Sequence, residues 1–217
     1  FESDQDQTVD SLFAEFALPI TDEFDMQLAL RYEDYGSKDS IDPKVVMRWT
    51  PIDSLTLRFT GQTTFRAAHP DETSPTRVTA LQYLSQTGAF KAVDIYGNTN
   101  LDPETATTFN VGVISDFGTD NWTMTLDYYD FVIDNPIQNQ NYAQLAAAYE
   151  AGGAAKAAIQ SQIYGGTNLT NDGTFTAAQI GRIRSNFVNG PEVQTNGIDL
   201  FVKYETDYAD GVLTAGM

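Results

Sequence analysis

Cysteine is absent from the 217-residue sequence, which excludes a disulfide framework and thiolate metal sites. There is a single histidine, His69, too few imidazoles for a metal centre built on spaced His ligands. Positive charge is scarce: 12 Lys and Arg stand against 30 Asp and Glu, a formal net charge of −18. A chain so acidic is not expected to bind nucleic acid, because phosphate contact needs clustered Lys and Arg. No apolar run reaches the ~18 residues that a membrane-spanning helix requires. That leaves membrane β-strands open, because alternation hides their hydrophobicity from any running average. Catalytic signatures are missing too. The sequence has no Gly-x-Ser-x-Gly, no His-Glu-x-x-His and no phosphate-cradling glycine loop, so no catalytic residue, no cofactor and no enzymatic activity are expected.

What the sequence does have is period-two alternation. Phe24, Met26, Leu28, Leu30 and Tyr32 alternate with Asp25, Gln27, Ala29, Arg31 and Glu33. Leu55, Leu57 and Phe59 alternate with Thr56, Arg58 and Thr60. The same rhythm returns at Leu12–Leu18, Val45–Trp49, Phe109–Val113, Trp122–Tyr128 and Ile198–Tyr204, with another strand starting near Gly211. Successive strand side chains point to opposite sides, so each stretch has one apolar and one polar face. The count is about eight strands of roughly nine to twelve residues, the length a tilted strand needs to cross a bilayer. A soluble, carbohydrate-binding β-sandwich is the alternative, but its strands are usually nearer five or six residues.

Connection lengths alternate as well. Short turns surround Pro19–Glu23, Pro51–Ser54, Ser115–Asp120 and Asp207–Asp210, while longer connections run over Ala67–Pro103 and Asp134–Val188. Outer-membrane barrels pair short periplasmic turns with longer extracellular loops. Phe24, Trp49 and Trp122 sit beside the short turns. Tyr32, Tyr35, Phe65, Tyr128 and Phe131 sit toward the long loops, as two interfacial aromatic belts would. Within the second long loop, Gln144–Glu150 and Ala154–Ile163 read as two short helices broken at Gly152-Gly153. Thr176 is placed to cap a further turn over Ala177–Ile183. The expected fold is therefore all-β: an antiparallel up-and-down meander, part of a large transmembrane β-barrel, with short helices in long extracellular loops.

Four ordered strings add a resemblance. They are Phe65-Arg66-Ala67-Ala68-His69-Pro70, Asn100-Leu101-Asp102-Pro103-Glu104 leading into Phe109-Asn110-Val111-Gly112, Leu126–Ile137 with its Asp-Tyr-Tyr-Asp-Phe stretch, and Thr195-Asn196-Gly197-Ile198-Asp199. In order and spacing they resemble the TonB-dependent receptors over nearly the whole chain. The proline of the first string follows Ala68-His69 rather than coming directly after Arg-Ala as in the family. The resemblance implies a plugged barrel of about 22 strands in the bacterial outer membrane. Its partners would be TonB, reached through a plug domain outside this sequence, outer-membrane lipid and a small, scarce ligand. Residues 1–217 are accordingly expected to be part of a carboxy-terminal barrel, unstable alone in water because of its open sheet edges. A passive porin or a barrel adhesin shares the same strand physics.

Two sets of candidate residues follow. Glu15, Arg31, Arg58, Asp127, Asp199 and Lys203 fall on the polar strand faces, where they either meet a plug and substrate or form cross-strand ion pairs on a wet wall. Arg66, Tyr83, Phe90, Tyr96, Tyr142, Tyr149 and Tyr164 fall in or beside the long loops, where exposed aromatics on a rigid scaffold suit ligand contact or pack against one another. Metal binding is not expected at His69 or at the acidic loop residues Asp71, Glu72, Asp94, Asp102 and Glu104, which lack a calcium-loop pattern. With no basic cluster visible along the sequence, the expected ligand leans toward a neutral oligosaccharide or a peptide rather than an anionic ferric siderophore.

Overall fold

A computed structural model describes residues 6–117 and 121–217. In chain order its elements are β1 (Asp10–Pro19), β2 (Phe24–Asp34), β3 (Asp39–Ile52), β4 (Leu55–Arg66), α1 (Pro70–Thr73), β5 (Val78–Leu84), β6 (Ala89–Tyr96), β7 (Glu104–Phe117) and β8 (Trp122–Asp134). There follow β9 (Ile137–Asn139), α2 (Tyr142–Ala151), α3 (Gly153–Ile159), β10 (Ile163–Gly165), β11 (Ile180–Asn189), β12 (Val193–Tyr208) and β13 (Gly211–Gly216), with single 3-10 turns at Gln160–Gln162 and Ala177–Gln179. Part of the short connection expected over Ser115–Asp120, namely Gly118, Thr119 and Asp120, lies outside the described residues.

The chain divides into two compact units. The wall unit comprises Gln7–Ala67, Pro103–Pro136 and Pro191–Met217. Its eight strands form one antiparallel sheet in the order β1-β2-β3-β4-β7-β8-β12-β13. Within this sheet each strand pairs with its neighbour in the meander, the long insertions interrupting the chain but not the order. Apart from the six-residue β13, the strands run from 10 to 16 residues. That meets or exceeds the ~9–11 needed to cross a bilayer at a tilt.

Register carries the alternation from strand to strand. Leu28 lies opposite Phe16 and Val45, Phe59 opposite Met47 and Val111, and Leu126 opposite Val113 and Leu200. One face is thus continuously apolar. A one-residue slip anywhere would turn a strand's apolar row onto the polar side, so the pattern fixes the register. Among the described residues no second layer of the wall unit covers this face: Leu12, Phe16, Leu30, Ile198 and Leu200 are each at least half exposed. At the short-turn end Phe24 opposes Trp49. There Phe117 stacks on Trp122 at 6.2 Å, and Trp122 meets Tyr204 at 4.6 Å. Farther along, Phe59, Phe109 and Tyr128 form an edge-to-face row across three strands. Phe131 departs from the expected belt. Its register opposite Thr108 and Thr195 puts it on the polar face, because its odd number in β8 shares parity with Asp127 and Tyr129.

The loop unit comprises Ala68–Asp102 and Ile137–Gly190. Both long connections, read from sequence as loops with short helices, contribute strands to a second sheet of order β10-β11-β6-β5, with β9 paired to the far end of β11. Its central β11–β6 pair is parallel. Leu84, Val93, Leu145, Ala146, Tyr149, Ile163, Phe175, Ile180 and Ile183 form its core. Each Leu or Ile fully buried there is worth roughly 1.5–3 kcal/mol of apolar transfer, which is what lets polar connections fold instead of remaining loops.

The expected helix pair is present as α2 and α3. The Asn141 side chain caps α2 by accepting from the backbone N–H groups of Ala143 and Gln144 at 2.9 and 3.2 Å, and Gly152, at φ 73°, breaks the pair. The helical reading over Ala177–Ile183 is corrected. Only Ala177–Gln179 turns, and Ile180 opens β11. The reason is a bulge: Tyr164 pairs with Arg182 but Gly165 pairs with Ile180, leaving Gly181 as the extra residue. The bulge lets Ile180 and Ile183 both point into the core despite their odd spacing.

Candidate functional site

In the loop unit the second sheet has two unlike faces. One packs on the core through Val93, Ile163 and Ile183. The other carries Tyr83 opposite Phe90, Leu81 opposite Ala92, and Thr79 opposite Asp94. The parallel pairing extends those rows, Ala92 to Arg182 and Asp94 to Arg184, and Tyr164 opposes Arg182 from β10. Tyr83, Phe90, Tyr96 and Tyr164, scattered over 82 positions of sequence, therefore share one face of one sheet.

A cavity of about 290 Å³ opens on that face, lined by Arg77, Asp94, Tyr96, Tyr164, Leu169, Arg182 and Arg184. Asp94 is its floor and is almost fully buried. Its carboxylate accepts from the Thr79 hydroxyl at 2.6 Å and from Arg182 Nη1 at 3.2 Å, with Arg77 Nη1 at 3.9 Å. A buried carboxylate needs such partners, since desolvation without them is expensive. Arg184 is held differently. Its guanidinium carbon lies 4.5 Å from the centre of the Tyr96 ring, and its Nε donates to the Asn186 side-chain oxygen at 3.1 Å. Three guanidiniums face one carboxylate, so the cavity carries a surplus of positive charge within a chain of net charge −18. At the rim Leu169 adopts φ 51°, rare for a branched side chain. Its Cδ2 occupies the space a Cβ at Gly181 would take.

Beside the cavity, Tyr83 and Phe90 are exposed and meet edge-to-face at 5.7 Å. Leu81, in the next row, is 70% exposed. The face thus runs from an apolar and aromatic end to a cationic end.

Three of the loop aromatics and cations expected to contact ligand have other surroundings. Tyr149 is a core residue, 2% exposed. It stacks on Phe175 at 5.0 Å, its hydroxyl donates to the Phe175 carbonyl at 3.1 Å, and Lys156 covers the ring at 4.3 Å. Its position on the inward side of α2, next to Leu145 and Ala146 in the core, accounts for the difference. Tyr142 packs partly against the same core. Arg66 belongs to the wall unit, where its Nε donates to Glu104 at 2.5 Å across the β4–β7 pair. Conversely, Arg77, Arg182 and Arg184 were not singled out from sequence. The signal was present in Arg182-Ile183-Arg184-Ser185, an alternation of cation and buried residue that reads as a strand.

In the wall unit Glu15, Arg31, Arg58, Asp127, Asp199 and Lys203 all lie on the polar face. Arg48 is paired with Asp25 directly opposite, at 2.7 Å. Arg31 pairs with Glu33, and Gln27 donates to Glu15. Arg58 reaches past a whole strand. It opposes Gly112, which opposes Asp127, and its guanidinium grips that carboxylate, Nε to Oδ1 at 3.1 Å. A Cβ at Gly112 would strike both partners. Asp127 in turn lies opposite Asp199, so Arg58 offsets a like-charge pair that would otherwise destabilise the β8–β12 contact. Lys203 bonds Glu205 at 2.9 Å. Among the described residues no group of acidic, His or Cys side chains is arranged to hold a metal ion.

Comparisons with known proteins complete the picture. A family model described as TonB dependent receptor-like, beta-barrel, matches residues 1–216. No curated protein matches the sequence significantly. Among solved structures, the siderophore receptor PirA from Pseudomonas aeruginosa superposes with a TM-score of 0.65 at 16% identity, over 96% of this chain and 34% of its own. A mutant of the ferric enterobactin receptor PfeA from the same organism gives 0.63 at 16% identity, over 96% and 26%. A double mutant of the Serratia marcescens hemophore receptor HasR, in complex with its hemophore HasA and heme, gives 0.59 at 15% identity, over 92% and 32%. The chain thus spans about a third or less of the length of these structures, and at such identity the likeness is one of fold.

Proposed function

From the premise that this chain belongs to the TonB-dependent receptor β-barrel family, whose barrels lie in the outer membrane, we propose that it forms part of the wall and part of the ligand-contacting mouth of an active importer. The observation that carries the reading is the uncovered apolar face of an eight-stranded meander whose strands are long enough to cross a bilayer. Lipid covers that face, and the polar face lines the lumen. There Glu15, Arg31, Arg58, Asp127, Asp199 and Lys203 face the plug and the passing substrate.

Both edges of the sheet, β1 and β13, are open among the described residues. Unpaired edges are a liability that closed barrels abolish, so further strands of the same receptor complete residues 1–217 into a closed wall. The short turns are periplasmic and the loop unit extracellular. TonB acts on the plug rather than on these residues, and the transported ligand is taken up at the loop unit. A soluble carbohydrate-binding sandwich would need a second sheet on the apolar face, where the described residues of the wall unit have none. A passive porin or adhesin barrel shares the wall but has no need of TonB.

Two measurements test the reading. The full-length gene product should fractionate with the outer membrane and migrate heat-modifiably in detergent. Uptake of its ligand, identified by growth of a deletion strain on single carbon or iron sources, should vanish when TonB is deleted. A product purifying from the soluble fraction without detergent would end the proposal, and uptake that persists without TonB would replace it with the porin reading.

A further inference from the structure

The loop-unit sheet protects one of its edges and leaves the other bare. On one side the edge strand β10 has only three residues, and its register shifts between Tyr164 and Gly165. Gly165 is closed there by mutual backbone hydrogen bonds with Thr170 at 2.8 and 3.0 Å. On the other side stands β5, Val78-Thr79-Ala80-Leu81-Gln82-Tyr83-Leu84, with no charged residue, no proline and no register shift. Among the described residues β5 pairs only with β6. We propose that the outer edge of β5 is a docking strand completed by strand addition. Its occupant is an extended stretch of the same receptor, from the part preceding Phe1 of the mouth-side connection that enters β1. This inference rests on the reading of residues 1–217 as part of a longer barrel.

The edge itself selects a polypeptide. Alternate residues of a strand direct their N–H and C=O groups to the same side, so an edge repeats its donors and acceptors about every 6.6–6.8 Å. Another extended backbone matches that spacing, whereas a sugar, a lipid headgroup or a nucleotide does not. Proteins blunt exposed edges with short strands, bulges, charge or proline. The β10 edge has the first two, and β5 has none of the four. The side chains agree with the backbone. On the outward face of β5, Leu81 is 70% and Tyr83 54% exposed, and Phe90 opposite Tyr83 is exposed as well. A strand laid along β5 would set alternate apolar residues against Leu81 and Tyr83, the pairing that stabilises neighbouring strands.

Three observations favour a segment of the same receptor over a separate molecule. A bare, uncharged edge facing the outside pairs indiscriminately with other chains, a hazard that a built-in partner removes. A strand tethered to the same barrel meets the edge at high effective concentration, without a diffusional encounter. The chain entering β1 is also in the right neighbourhood. β1 begins at the end of the wall away from its short turn, with Asp10 abreast of Asp34 and Asp39. Asp6, just ahead of β1, belongs by its contacts to the loop unit, whereas Gln7 belongs to the wall. Residues 1–217 span about a third or less of the receptors they resemble, which leaves ample chain to supply the strand.

The test uses the full-length receptor. Amide hydrogen exchange of the peptide covering 78–84 comes first, because roughly half of its N–H groups face away from β6. Those amides should exchange at least about tenfold more slowly than an unpaired chain does. Leu81→Pro and Gln82→Pro come next. Neighbouring N–H groups of a strand point to opposite sides, so one variant removes a bond to β6 and the other a bond to the added strand. Both should speed exchange in β5 by about fivefold or more. A proline whose N–H would face solvent is tolerated on an edge strand, so one silent variant means an unpaired edge. Finally, a benzophenone side chain at position 81 is irradiated on intact cells and its adducts are mapped by mass spectrometry. Outside β5 and β6, the adduct should fall in receptor sequence before Phe1. Fast exchange of the outward amides, one silent proline variant, or no adduct outside β5 and β6 would overturn the proposal. So would an adduct with a separate protein, a second receptor copy, lipid or another stretch of the receptor. Where a proline variant fails to fold, exchange and crosslinking of the unperturbed strand still decide. Heat-modifiable migration reports on the barrel separately, so an intact barrel whose β5 edge exchanges freely sinks only the docking strand.

Discussion

Tyr149→Ala and Tyr149→Phe together discriminate a core residue from a ligand contact. Tyr149 is 2% exposed, stacked on Phe175, covered by Lys156 and bonded through its hydroxyl to the Phe175 carbonyl. Removing the ring leaves a cavity and costs about 3–5 kcal/mol by the usual large-to-small penalty. Removing only the hydroxyl strands a buried carbonyl and costs about 1–3 kcal/mol. At 1.4 kcal/mol per factor of ten, about 4 kcal/mol multiplies the opening of the loop unit by roughly a thousand, and about 1.5 kcal/mol by roughly ten. Global unfolding of a barrel in detergent would hide this, so the assay is local. Amide hydrogen exchange is followed by mass spectrometry on peptides covering 142–151 and 175–189 of the full-length receptor, because exchange reads sub-global opening directly. Ala should accelerate exchange in both peptides far more than Phe, with the wall strands unaffected. Unchanged exchange in Tyr149→Ala, with loss of ligand binding alone, would refute the packing argument and return Tyr149 to the surface role its sequence context suggests.

Charge on the apolar wall should be costly where charge on the polar wall is not. Leu28→Arg, in the middle of β2, should lower folding stability in lipid by about 2–4 kcal/mol, against less than about 0.5 kcal/mol for Thr60→Lys, read from urea unfolding in bilayers. Gly112→Val should separate Arg58 from Asp127 and cost about 1 kcal/mol or more. In that background Asp127→Asn should add little, a coupling that a double-mutant cycle measures. Asn141→Ala removes the α2 cap and should cost the loop unit about 1 kcal/mol, visible as faster exchange at the start of that helix. The Asp172 carboxyl is held below its ordinary value by hydrogen bonds from the Thr174 backbone and hydroxyl. With the folded value the lower one, its contribution is present above the unfolded carboxyl range and lost as pH falls through the folded value. Acidification should therefore loosen residues 170–176 in wild type, and Asp172→Asn should abolish that pH dependence in the same exchange experiment.

The sequence by itself determined the wall. Alternation at Phe24–Tyr32, Leu55–Phe59, Trp122–Tyr128 and Ile198–Tyr204 is a local property, and a strand has only two faces. Once one row is apolar the register follows, and where the connection is a short turn the strand has little choice of partner. The belt at Phe24, Trp49 and Trp122 and the break at Gly152 were legible for the same reason, since nearest neighbours decide them.

The candidate site was not legible in this way. Arg77, Asp94, Tyr164 and Arg182 become neighbours only because β6 and β11, separated by more than 80 residues of sequence, pair in parallel. Parallel pairing leaves no turn signal between the partners. Tyr149 and Tyr164 look alike in sequence, two tyrosines near Ala- and Gly-rich stretches, and only the packing of α2 on the sheet sends one inward and leaves the other on the outer face. Arg58 likewise finds Asp127 across an intervening strand because Gly112 has no side chain to block it. Local periodicity told which side of a strand is apolar, whereas which distant charges meet depended on strand order, bulges and missing Cβ atoms, which exist only in the folded chain.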